Sequence, residues 1–393
     1  MNIGVMNRRV KTGLEVFLEE ELDALKKKKI GIVTNHTGVT ANLDHIVDIL
    51  YRRYRLDVRA LFCPEHGIYG EKPPGIPIKD YIDPKTGLPV YSLYGEKRRK
   101  PPLKVLNKLD LLLYDIQDLG VRFYTYISTL FHVLEAVSEV DKEIFVLDRP
   151  NPLTGIYVEG PLLDLRFRSF IGIWKIPIRY GMTIGELALL FNDEADLNAN
   201  LTVIKMRGWK RDMWYDETGL PWVPPSPNIP TLDSAILYPG TCLLEGTNIS
   251  EGRGTTKPFE LIGAPWIDED KLTDTLRSHN LKGVIFRPAV FIPMYSKYLR
   301  EVCRGVQIHI VNRDVIESVK IGLYIIRDVM ELYPDKFKWR RIRGGKYHFD
   351  LLVGTDYVRR AIEEGRDVDG ILDELKSDLL KFKTMSKKYF IYR

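Results

Sequence analysis

The stretch that decides the fold is Leu56-Asp57-Val58-Arg59-Ala60-Leu61-Phe62 followed by Cys63-Pro64-Glu65-His66-Gly67-Ile68-Tyr69-Gly70-Glu71. Residues 56–62 make a mostly apolar run of strand length, and ionisable groups, glycines and prolines follow at once. A strand that ends in a carboxylate and an imidazole places chemistry at the carboxyl edge of a sheet. Open α/β sheets bind their ligands at that edge.

Outward from this stretch the same pattern repeats. Residues 29–34 (KIGIVT) run into Asn35, His36 and Thr37. Residues 109–114 (LDLLLY) run into Asp115, Gln117 and Asp118, and residues 143–147 (EIFVL) into Asp148, Arg149 and Asn151. Residues 89–93 and 201–205 read as further strands. Residues 13–25, 43–54, 125–140 and 183–193 carry apolar side chains at helical spacing. Continuously apolar strands separated by helices predict a parallel sheet covered on both faces. Residues 221–230 (PWVPPSPNIP) hold too many prolines for a helix or a central strand, so they mark a domain boundary or a stiff loop beside a cleft. Beyond them the pattern is α+β: a Gly-rich loop, a helix at 268–278, strands near 283–291 and 304–311, a helix at 314–333 and a helical tail. The expected fold class is α/β. A Rossmann-like, mostly parallel sheet fills residues 1–232, and a smaller α+β domain, residues 233–393, completes the cleft.

Composition narrows the function. Hydrophobic residues are 45% and charged residues 28% of the 393, with a formal net charge of +5, values of an ordinary globular protein. The basic runs 26–29 and 97–100 lack interleaved aromatic residues and read as solvated faces rather than a nucleic-acid surface. Cys63, Cys242 and Cys303 are far apart and form no CxxC, so neither a zinc ribbon nor a disulfide framework is expected. No apolar run reaches membrane-spanning length, and residues 1–10 lack the apolar core of a signal peptide. A cytoplasmic protein without membrane or nucleic-acid partners is expected.

Glu65 is the foremost candidate acid or base, because the apolar Leu61 and Phe62 before it would raise a carboxyl pKa. His66 would orient it or ligate a metal. A metal site would need His36, His66, Asp115 and Asp118 to meet, and no HxH or HExxH spacing supports one. Asp115, Asp118, Arg122 and Tyr124 crowd one strand-to-helix connection with the groups that bind sugars: bidentate hydrogen-bonding side chains and flat rings. Each alone reads equally as a helix cap or an ion pair, such as Asp118 with Arg122. The convergence of four strand ends on one rim argues for a site. A second polar stretch, residues 244–260, includes Asn248, Glu251 and Arg253. It lacks the Walker spacing, and no strand-GxGxxG-helix element occurs, so it suits a carboxylate or sugar-hydroxyl cradle as well as a phosphate.

The motifs PEHGxxGE, YDIQDxGxRxYTY, DRPNPxxGxxVEGP, RYGMTxGEL, PSPN and LxEGTNxSEGRGTxxPFExxGAPW occur in this order. In them the chain resembles the exo-β-N-acetylmuramidase (NamZ) family, formerly a domain of unknown function. The resemblance implies a Rossmann-like domain, a smaller C-terminal domain and an active site between them. It also implies release of N-acetylmuramic acid, or a related amino sugar, from the non-reducing end of peptidoglycan fragments, without a metal or other cofactor. On this reading Glu65 is the general acid and His66 assists it. Glycoside hydrolysis usually needs a second carboxyl, here one of Glu71, Asp115, Glu159 and Glu251, unless the acetamido group supplies the nucleophile. Arg122, Arg149 or Arg253 would hold the lactyl carboxylate. Asn35, Asp118, Tyr124, Asn151, Glu159, Asn228, Asn248 and Glu251 would complete the substrate contacts. Two other classes stay open on the residues alone: a non-catalytic glycan-binding protein on the same fold, and a metal-dependent phosphoesterase. The sequence does not set the oligomeric state.

Overall fold

The computed structural model describes residues 10–95 and 99–393; residues 1–9 and 96–98, which include half of the basic run 97–100, lie outside them. The strands of the first half are β1 (Ile30–Thr34), β2 (Val58–Cys63), β3 (Tyr81–Ile82), β4 (Pro89–Ser92), β5 (Leu111–Asp115), β6 (Glu143–Leu147) and β7 (Asn200–Ile204). They form a seven-stranded sheet in the order β3-β4-β2-β1-β5-β6-β7, parallel throughout except for the edge strand β3. The helices are α1 (Gly13–Glu20), α2 (Leu103–Leu106), α3 (Tyr126–Glu139), α4 (Ile184–Glu194), α5 (Leu232–Thr241), α6 (Glu269–Ser278), α7 (Ser318–Leu332), α8 (His348–Val353), α9 (Tyr357–Glu363) and α10 (Val368–Ser386).

The apolar runs become central strands because both faces are covered. Every residue of β1 and β5 is buried. Ile32, Leu61 and Leu113 pack with Phe17 of α1 on one face, while Val33, Phe62 and Leu112 pack with Ile127 and Leu130 of α3 on the other. The chain leaves β1 for β2 on one side and reaches β5 on the other, so the strand order reverses at β1. Such a reversal opens a crevice at the carboxyl ends of the strands. The register sets Thr34 opposite Asp115 there.

The smaller unit contains a three-stranded antiparallel sheet, β8 (Leu261–Ala264), β10 (Cys303–Ile310) and β9 (Val284–Phe291), in that order. Helices α5 and α7 cross closely through glycines: a Cβ on Gly240 would lie 1.7 Å from the Ser318 carbonyl oxygen. The proline-rich segment 221–230 lies against the first unit. Pro224 O accepts from His36 Nε2 at 2.8 Å, and Pro225 O accepts from the Tyr126 hydroxyl at 2.7 Å.

Some elements differ from their expected form. The helix expected over 43–54 begins only after residue 45 and is wound as a π-helix over Asp48–Arg53. Its expected first turn is taken by a Thr40 cap, whose hydroxyl accepts the Asn42 and Asp44 N–H groups, with Leu43 at φ +66°. The helix expected from 314 starts at Ser318, where Glu159 Oε2 accepts the Val319 N–H at 3.1 Å. Strand β8 and helix α5 were not foreseen; α5 is buried all round from Ser234 to Thr241, which removes a one-sided apolar stripe, and it carries Pro239 and Gly240. Among the described residues no helix is long and apolar enough to cross a membrane.

Candidate functional site

Glu65 stands just beyond β2, on the loop that the glycines of its motif fold. His66 itself takes a left-handed conformation (φ +75°), as do Gly67 and Gly70. Its Nδ1 donates to Lys72 O at 2.7 Å, and its carbonyl accepts the Lys72 N–H, so this residue closes the loop. The loop aims Glu65 into a cavity of about 400 Å³ between the two units. The backbone N–H of Gly75 donates to Glu65 Oε1 at 2.7 Å, and the Thr125 hydroxyl donates to Oε2 at 3.2 Å. The Tyr94 hydroxyl lies beside the same carboxyl; burial, and then Glu65, push that phenol above its ordinary value.

The opposite wall comes from the smaller unit. Glu245, Arg253, Tyr295 and His348 face the cavity. Arg253 Nη2 donates to Glu245 Oε1 at 2.6 Å, and its Nε lies 3.3 Å from Glu251 Oε1. Burial works to raise the Glu245 carboxyl, but the Arg253 guanidinium outweighs it and holds Glu245 below the usual carboxylate range. His348 opens α8, which is seated tightly: a Cβ on Gly246 would meet Phe349 at 2.6 Å. Burial pushes its imidazole below the ordinary value. The cavity therefore sets the Glu65 carboxyl in the same space as a Glu245 carboxylate that a cation holds ionised.

Of the residues singled out in the sequence, Glu65 and Arg253 share this cavity. Asn248 and Glu251 line the adjoining hollow of about 680 Å³, which has Glu245 and Arg253 in its wall. Asn228 reaches the cavity through Tyr295, whose hydroxyl donates to Asn228 Oδ1.

The others lie outside these two hollows and have partners of their own. Asp115 is fully buried and takes a bidentate ion pair from Arg149, at 2.6 and 3.0 Å, away from the cavity. Arg122 is fully buried and donates to four backbone carbonyls, those of Pro161, Ile176, Leu352 and Val353. It ties the two units together away from the cavity; burial lowers its pKa to about 9. Asp118 is pushed up to about 6 by burial and accepts from Tyr180 and from the Gly120 N–H. Asn35 accepts from Thr37, Asn151 bridges the Leu153 N–H and Met182 O, and Tyr124 packs edge-on to Tyr126 and Tyr238. Glu159 pairs with Arg179 at 2.6 Å, and Glu71 lies near the surface beside Lys72. His36 is committed to Pro224, and among the described residues no group of three or more His, Cys, Asp or Glu side chains is placed to hold a metal ion.

Sequence reading missed Glu245 and His348. Glu245 had a signal: it precedes Gly246 inside the longest motif. His348 had none, since it lies in no motif and far from every strand end.

Comparison with known proteins fits this geometry. A family model described as Exo-beta-N-acetylmuramidase NamZ, N-terminal, matches residues 30–233, and its C-terminal counterpart matches residues 236–392. Over 384 residues, 98% of this chain and 92% of the relative, the chain is 49% identical to a Bacillus subtilis (strain 168) protein described as peptidoglycan beta-N-acetylmuramidase NamZ. Two crystal structures of DUF1343 family proteins from Bacteroides fragilis NCTC 9343 are also similar. One has a TM-score of 0.90 at 41% identity and covers 98% of this chain and 100% of that chain. The other has a TM-score of 0.79 at 36% identity and covers 98% and 99%.

Proposed function

Since the chain belongs to the exo-β-N-acetylmuramidase NamZ family, we propose that it is an exo-acting glycosidase. It releases N-acetylmuramic acid from the non-reducing end of peptidoglycan fragments. The observation that carries the reading is the shared cavity: Glu65 from one unit and an ionised Glu245 from the other face the same space. Glu65 protonates the bridging oxygen as the bond to the anomeric carbon breaks, and a water molecule completes the hydrolysis by bonding to that carbon and passing a proton to one of the two carboxylates. Glu245 stabilises the positive charge that develops on the sugar ring. Arg253 keeps Glu245 charged, so this arginine acts through a carboxylate rather than on the substrate's own. The lactyl carboxylate faces the adjoining hollow, where Lys338 and Arg340 supply positive charge.

Two substrates test this. One is N-acetylmuramic acid β-linked to N-acetylglucosamine; the other is the 4-nitrophenyl glycoside, whose leaving group needs little protonation. Glu65→Gln is expected to lower kcat on the disaccharide by roughly 10²–10⁴-fold, the usual worth of a positioned general acid, and to spare the nitrophenyl glycoside. Equal losses on both, or no loss on either, would remove Glu65 from that role.

A further inference from the structure

A third hollow, of about 820 Å³, opens on the other side of the Glu65 cavity. Gly75 and Tyr94 line both spaces. These are the residues that flank the Glu65 carboxyl, one through its N–H and the other through its hydroxyl. Beyond them the hollow has a floor of aromatic and cationic groups. Phe170 lies 5.9 Å from Tyr94, ring centre to ring centre, and the Arg99 guanidinium sits 4.5 Å over the Phe170 ring. His132 stacks on Phe170 with an interplanar angle of 5°, which fixes the orientation of the phenyl ring. Lys79 and Arg99 supply positive charge at the rim.

The position of the general acid orients the cleft. A group that protonates the bridging oxygen must stand at the junction between the sugar that is released and the group that leaves. Glu65 stands at the boundary marked by Gly75 and Tyr94. Glu245 stands at the opposite boundary, toward the hollow with Lys338 and Arg340. The released sugar therefore fills the central cavity, with its lactyl group toward Arg340, and the leaving group extends past Tyr94.

We propose that the hollow beyond Tyr94 is the acceptor-side subsite. It takes the N-acetylhexosamine on the reducing side of the bond that is cut, with the sugar packed against Tyr94 and the Phe170–Arg99 stack. Lys79 and Arg99 meet the carboxylates of a longer fragment. The proposal rests on the assignment of Glu65 as general acid made above.

The test compares two substrates with the same donor sugar and alkyl-type leaving groups: the disaccharide and methyl β-N-acetylmuraminide. The wild-type protein is expected to prefer the disaccharide in kcat/KM. Phe170→Ala is expected to lower kcat/KM on the disaccharide roughly two- to tenfold, the range of an aromatic contact, and to leave the methyl glycoside unchanged. Unchanged methyl-glycoside turnover also shows that the variant is folded. Arg340→Ala, on the donor side, is expected to affect both substrates alike. If Phe170→Ala alters both substrates equally, or neither, the acceptor subsite lies elsewhere and the glycosidase reading survives. If the wild-type protein turns over neither substrate, the glycosidase reading fails and takes the subsite with it.

Discussion

Asp115 and Arg149 show how a residue of the right type comes to have a structural task. Both stand at strand ends on the rim where a ligand was expected, and parallel topology does bring them together. It brings them so close that they neutralise each other out of reach of solvent. The sequence shows which groups reach the rim, but not which of them find partners there. Arg122 was lost to the site in the same way, because its carbonyl partners at 352 and 353 lie more than two hundred residues away. Asp115→Asn leaves the buried Arg149 charge without its counter-ion, and removing one partner of such a pair costs about 3–5 kcal/mol. Urea denaturation is expected to show that loss, while kcat per folded molecule stays at the wild-type value. A large fall in kcat without loss of stability would return Asp115 to the active site.

At the scale of elements, strands were legible because burial on both faces leaves a continuous apolar signal. Helix starts were less so, since a side-chain cap such as Thr40 resets the first turn without changing the apolar spacing. The end of β6 carries a further consequence. Asp148 is buried there and accepts from Thr183 Oγ1 and the Gly185 N–H at the start of α4, and from the Tyr392 hydroxyl. Burial raises its pKa to about 7 against the opposing effect of those hydrogen bonds. The folded state therefore holds a proton that the unfolded chain releases near pH 4. Stability from this group is fully present below about pH 4 and is lost as pH rises toward 7. Asp148→Asn removes this dependence. Between pH 4.5 and 7.5 the unfolding free energy of the wild-type protein is expected to fall relative to that of the variant by roughly 3–4 kcal/mol. Parallel curves would show that Asp148 is ionised in the folded state throughout.

At the scale of the whole molecule, the site depends on how the two units are held. Arg122 fastens the first unit to the end of α8, the helix that His348 begins. The C-terminal segment returns to the first unit: the Ile391 N–H donates to Glu186, Tyr392 to Asp148, and Arg211 lies 3.4 Å over the Phe390 ring. These ties fix the wall that bears Glu245 opposite the wall that bears Glu65. The two-unit division was legible from the change of pattern after the prolines. The identity of the facing carboxyl was not, because it depends on the docking of one unit on the other and leaves no local pattern.

On the proposed mechanism one N-acetylmuramic acid ring lies between Glu65 and Glu245. A crystal structure of Glu65→Gln with the uncleaved disaccharide measures this directly. The bridging oxygen is expected within hydrogen-bond distance of the side chain at position 65, and the muramic ring over Glu245. A disaccharide seated on the rim near Asp115, with Glu245 untouched, would contradict that mechanism.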